Sequence, residues 1–185
     1  MSLSKCLFFF FLLIIQSSLY AQSISFESGD KQTVLIELFT SEGCSSYPPA
    51  EKFLNTYTEQ PQLWKKFIPM AFHVDYVDYL GWKDSFSDAS YSRRQKQYEH
   101  AGRLPGVYTP AFVVNGTSWR PRSMLNHQPH LVLPSVGNLK LTVSDKSIDV
   151  SFTSKTNNMG NLKLHIALLG MGLITKIEAG ENRGR

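Results

Sequence analysis

Cys44 is the residue of this 185-residue chain best equipped for covalent chemistry, in the run Ser41-Glu42-Gly43-Cys44-Ser45-Ser46. Acting alone as a nucleophile, it needs a stabilised thiolate, supplied by a helix N-terminus or a nearby cation. Pro48-Pro49 weaken the helix argument, because each proline disfavours helical backbone at the residue before it. The helix is expected to begin at Pro49, leaving Cys44 ahead of a dipole that fades within one turn. Glu42 opposes ionisation, and His73 is the one local cation. Cys44, His73 and Asp75 also make a donor set suited to zinc or copper, although no tight ligand pair anchors it. The bland reading has His73 and Asp75 capping a strand. Asp75, Asp78 and Asp84 could do carboxylate chemistry, but Tyr76, Tyr79 and Trp82 around them fit a packed Ω-type loop. The two imidazoles of His127-Gln128-Pro129-His130 are separated by a helix breaker and read as solvated loop. Arg93 and Arg94 read as a solvated helix face.

The N-terminus constrains what Cys44 can do. Residues 1–21 have the form of a secretory signal peptide: Lys5, ten uninterrupted apolar residues from Cys6 to Ile15, a polar stretch, then Ala21. Ten apolar residues are too few to span a bilayer core of about 30 Å. The expectation is a periplasmic or secreted protein with no membrane segment after cleavage. Cleavage removes Cys6, so Cys44 would be alone in an oxidising compartment, with no internal disulfide partner. The net charge of +4 is scattered, which argues against a nucleic-acid partner. Apolar residues at 42% and charged residues at 18% suit a globular domain with a real core.

The elements that must position these residues follow from periodicity. Residues 22–32 are a polar lead-in. Val34 to Phe39 and Phe67 to Val74 read as buried strands. Between them Ala50, Phe53, Leu54 and Tyr57 recur at helical spacing. A second helix is expected over 87–101, with Ser87 as its N-cap and Gly102 at its end. Ala111 to Val114 turns at Asn115-Gly116 into Thr117–Trp119. A linker, 120–137, leads to a region of period two: 139–143, 148–152 and 162–168 read as half-buried antiparallel strands, with 173–177 as a further candidate. Parallel strands joined by a crossover end at the same sheet edge. Cys44, the 73–82 segment and Thr109-Pro110 should therefore converge, as reactive groups do at the carboxyl ends of such strands.

Cys44 at a strand-to-helix junction, with Tyr108-Thr109-Pro110 before a hairpin, resembles the thioredoxin-like fold. More narrowly, Glu37 to Ser46, Pro48-Pro49-Ala50, Phe72 to Tyr76, Leu80 to Asp84, Val107 to Pro110 and Ala179 to Arg185 are similar to a bacterial secreted domain-of-unknown-function family, DUF1223. The resemblance implies an α/β fold: a thioredoxin-like βαβ-ββ core over 33–119 and an appended C-terminal antiparallel β unit over 138–185. It implies a cis-proline at Pro110 facing Cys44, with Tyr47, Tyr108 and Thr109 as contacts for a substrate and His73, Asp75 and Trp82 behind them. It also implies a chain that continues past residue 185. The family pattern is Cys-x-x-Cys, and Tyr47 stands where the second cysteine belongs. Dithiol exchange needs that second thiol. Three functions stay open: a thioredoxin-like protein binding a polypeptide or small thiol without dithiol turnover, a monothiol redox enzyme using Cys44, and a metal carrier using Cys44 and His73. No cofactor is expected.

Overall fold

The computed structural model describes residues 23–121, 129, 131–156 and 160–184. Residues 1–21, expected as a signal peptide, and His127 and His130 lie outside them. The elements are β1 (Ile24–Glu27), β2 (Val34–Thr40), α1 (Tyr47–Asn55), β3 (Phe67–His73), α2 (Ala89–His100), β4 (Ala111–Val114), β5 (Thr117–Trp119), β6 (Gly137–Val143) and β7 (Ile148–Ser154), with a 3-10 turn at Asp78–Leu80.

Four strands form one sheet in the order β3-β2-β4-β5. β2 and β3 run parallel, and β2 pairs antiparallel with β4, which pairs antiparallel with β5. This mixed α/β sheet has the βαβ-ββ core of a thioredoxin-like arrangement. β2 is central, so both of its faces are covered and the sequence there is nearly all apolar. Val34, Ile36 and Leu38 point to one side, where Ala50, Phe53, Leu54 and Tyr57 of the first helical segment pack on them. Phe53 meets Tyr57 and Phe112 edge-on and stacks on Trp119, all with centroids under 6 Å apart. Burying each such ring contributes about 1.5–3 kcal/mol. Phe39 points to the other side, among Val74, Val77, Leu104, Ala111 and Val113.

The chain forms two compact units, one holding β1 and Leu139–Thr153, the other Ser28–Asn138 and Ser154–Arg185. The first is a three-stranded sheet in the order β1-β6-β7. Ile24 and Phe26 lie opposite Val143 and Leu141 on an apolar face.

Several local expectations change. The polar lead-in contains β1, because β6 supplies it with a ladder partner. No strand forms over 160–178. Alternation defines two potential faces but not a pairing partner, and Leu162, Leu164 and Ile166 remain exposed there. α1 begins at Tyr47, two residues before Pro49. The turn bonds Cys44 N–H to Ser41 O (3.2 Å) and Tyr47 N–H to Cys44 O (3.3 Å), together with burial of the Tyr47 ring, outweigh the bias of the prolines. α2 is capped by Asp88, whose carboxylate accepts from Ser90 N–H at 2.7 Å. Ser87 instead donates to Asp78 and to Asp84 O.

Candidate functional site

Cys44 sits half-buried on the loop from β2 to α1, with its Sγ 2.9 Å from Ser46 Oγ. The loop's backbone is tied on every side. Glu42 N–H donates to Asp84 Oδ2 (2.8 Å), Gly43 N–H to Ser41 Oγ (3.2 Å), and Ser45 N–H to Glu181 Oε2 (2.9 Å). Asn182, 1% exposed, donates through Nδ2 to both Glu42 O (2.8 Å) and Cys44 O (2.9 Å). The tail therefore crosses the loop. Where it does so, Gly180 has φ +74°, and a Cβ there would lie 3.0 Å from Trp82 Cβ. Only glycine accommodates both the left-handed backbone and that approach.

Beneath the loop lies a cluster of ionisable groups. His73 Nδ1 is 2.7 Å from Asp84 Oδ2, and Phe86 stacks edge-on against the imidazole. Burial pulls the His73 pKa down, but hydrogen bonding to Asp84 and the charges of Asp84, Glu51 and Glu42 raise it above its ordinary value. Burial likewise pushes the Asp84 carboxyl up, and the His73 and backbone hydrogen bonds hold it below the usual range. Glu51, one turn into α1, accepts from Thr40 Oγ1 at 3.1 Å. Its burial, with Asp84 and Glu42 nearby, pushes its carboxyl up to about 7 against the pull of His73 and Thr40. Trp82 Nε1–H donates to Glu42 Oε2 at 2.8 Å.

On the other side, Tyr76 O–H donates to Gln95 Oε1 (2.9 Å), whose amide donates to Tyr108 O (2.6 Å). Burial pushes the Tyr76 hydroxyl up to about 12, opposed by the Gln95 bond and aided by the neighbouring Cys44. The Thr109–Pro110 peptide is cis. Antiparallel register sets Pro110 across from Thr40, since Ala111 faces Phe39. Asp75 accepts a short hydrogen bond from Ser92 Oγ.

Hydrogen bonds join parts of the segments expected to converge. Trp82 reaches the Cys44 loop through Glu42, and Tyr108 is linked through Gln95 to Tyr76. His73 Nδ1 is engaged by Asp84, and among the described residues no group of three or more His, Cys, Asp or Glu could hold a metal ion. Tyr47 is 7% exposed and packs at the start of α1. It contributes to a depression of about 460 Å³ with Pro48, Glu51, Lys52 and Glu59, which Cys44 does not line. Arg94 is not a freely solvated residue: its Nε lies 2.6 Å from Oε1 of the fully buried Glu37, and Tyr98 O–H donates to Glu37 Oε2 at 2.7 Å.

The residues from 35 to 185 match the family described as "Protein of unknown function (DUF1223)". The chain belongs to this family. No curated protein matches it. A crystal structure of a protein from Agrobacterium tumefaciens is similar at 41% identity, over 44% of this chain and 35% of that one, with a TM-score of 0.39. The present chain spans about a third of that protein's length. The DUF1223 match takes in Cys44, the ionisable cluster and the tail through Asn182.

Four participants were not singled out from sequence. Glu37 carried a signal, a lone carboxylate inside a continuous apolar strand, which demands a cation. Glu51 flanks the apolar stripe of α1. Glu181 and Asn182 stood out only as part of the family-like run Ala179 to Arg185; nothing in it placed them at the Cys44 loop, since their partners are more than 130 residues away.

Proposed function

We propose that this is a secreted or periplasmic member of the thioredoxin-like superfamily that engages a polypeptide or small thiol without dithiol–disulfide turnover. The observation that carries the reading is position 47. A dithiol enzyme needs a second thiol to resolve its mixed disulfide. Where the resembling family's pattern has that cysteine, a tyrosine ring is buried at the first residue of α1. Cys44 is the free cysteine among the described residues, and Cys6 leaves with the signal segment on this reading.

The half-exposed Cys44 thiol, in contact with Ser46 Oγ, favours a second reading, monothiol exchange. The Cys44 thiolate attacks one sulfur of a partner disulfide, forming a mixed disulfide and releasing the partner's other half as a thiolate. An external small thiol then attacks the partner's sulfur, and Cys44 departs as the thiolate. Metal carriage has less support, because among the described residues no group of three or more His, Cys, Asp or Glu side chains is placed to hold an ion.

Insulin reduction by wild type beside Tyr47→Cys tests the main reading. Wild type should show no turnover, and the variant should form an intramolecular disulfide on oxidation, losing two hydrogens by mass. Catalytic turnover by wild type overturns it.

A further inference from the structure

The tail contacts supply a second element of the Cys44 site. Ile177 is buried, and Gly184 N–H donates back to its carbonyl at 2.8 Å, so residues 177–184 form a closed turn. Gly180 anchors that turn against Gly81 and Trp82, and Asn182 anchors it against two loop carbonyls. Glu181 brings an exposed carboxylate to the backbone N–H next to Cys44. That N–H lies just ahead of the N-terminus of α1, where an incoming anion would otherwise bind. Arg183 is exposed, and its backbone N–H donates within the turn, to Gly180 O at 3.4 Å. The Glu42 carboxylate already accepts from Trp82.

We propose that residues 177–184 are a strap over the Cys44 loop, in which Asn182 is a positioning residue and Glu181 selects cationic thiol or disulfide partners over anionic ones. The proposal rests on the reading of Cys44 as a partner-contacting thiol. It deepens that reading by naming the partner's charge: a basic polypeptide segment or a cationic disulfide is attracted to the carboxylate held on the Ser45 N–H, one residue from Cys44. An anionic partner meets both its repulsion and an occupied N–H.

Two matched disulfides test it on the full chain: cystamine, a dication, and dithiodiglycolate, a dianion. Mixed-disulfide formation at Cys44 is followed by mass spectrometry. Asn182→Ala removes two hydrogen bonds from the loop, and the rates with both probes should rise about tenfold as the loop opens. Glu181→Gln keeps an acceptor for Ser45 N–H and removes only the charge. Its cystamine-to-dithiodiglycolate rate ratio should fall about fivefold at low ionic strength. The difference should vanish near 1 M salt, where the screening length is about 3 Å. If Asn182→Ala does not fold, the Glu181→Gln ratio decides. A reactive Cys44 whose ratio is the same in wild type and Glu181→Gln overturns the strap while leaving monothiol exchange standing. A Cys44 that neither probe modifies in any form overturns the underlying reading, and the strap with it.

Discussion

Asp84 Oδ2 lies 2.7 Å from His73 Nδ1 and also accepts from Glu42 N–H at 2.8 Å, so one oxygen joins the end of β3 to the Cys44 loop. Its other oxygen accepts from Phe86 N–H at 2.9 Å. The carboxylate is thus the tie between the loop and the segment that leads into α2.

The pair makes stability depend on pH at both ends. His73 titrates above 6.5 in the fold. Its contribution is complete below the unfolded value of 6.5 and is lost as pH rises through the folded midpoint. Asp84 titrates below 3.8, so its contribution is present above 3.8 and is lost as pH falls through the folded midpoint. An imidazole NMR titration should place His73 above 6.5 in wild type and lower in Asp84→Asn. Identical midpoints in the two proteins would show that Asp84 does not hold the imidazolium.

Glu51 acts in the opposite sense to an ordinary paired carboxylate. Its folded pKa of about 7 exceeds the unfolded 4.5, so ionisation works against the fold and stability falls as pH rises from 4.5 towards 7. Glu51→Gln is neutral throughout and keeps an acceptor for Thr40. The variant should melt higher than wild type at pH 8 and close to it at pH 4. Thermal melts at the two pH values check this, and an equal or lower midpoint at pH 8 counts against it.

Glu37 is fully buried in β2 and is held by Arg94 and Tyr98 from α2. Arg94→Ala strands a carboxylate in the core and should cost about 2–4 kcal/mol, towards the lower part of the buried-pair range because the arginine itself is half exposed. Tyr98→Phe removes one hydrogen bond to a charge and should cost about 1.5–3 kcal/mol. Urea unfolding measures both. If Arg94→Ala proves the milder of the two, the ion pair is not what holds Glu37.

The main sheet was largely legible in sequence. Val34 to Phe39 carries the apolar run of a doubly covered strand, whereas the similar run Phe67 to Val74 forms an edge strand in which two of the seven residues of β3 are buried, and Asn115-Gly116 specifies its hairpin through backbone that few other residues adopt. Legibility ended where a partner was required. Ile24–Glu27 looked like a lead-in because its strand character depends on β6. Residues 162–168 have the period of a strand without the ladder. Arg94 read as solvent-facing because its partner, Glu37, is 57 residues away.

By itself the sequence determined the elements of the core, the position of Cys44 at a strand-to-helix junction and the absence of a thiol at position 47. These are local properties, set by side-chain period, turn chemistry and residue identity. Tertiary structure decided which groups surround that cysteine. His73 turns to Asp84, the Glu51 carboxyl is raised by its burial among neighbouring carboxylates, and Glu181 and Asn182 close over the loop. Hydrogen bonds and fields act over a few ångströms of space whatever the separation along the chain, so no local pattern could announce them.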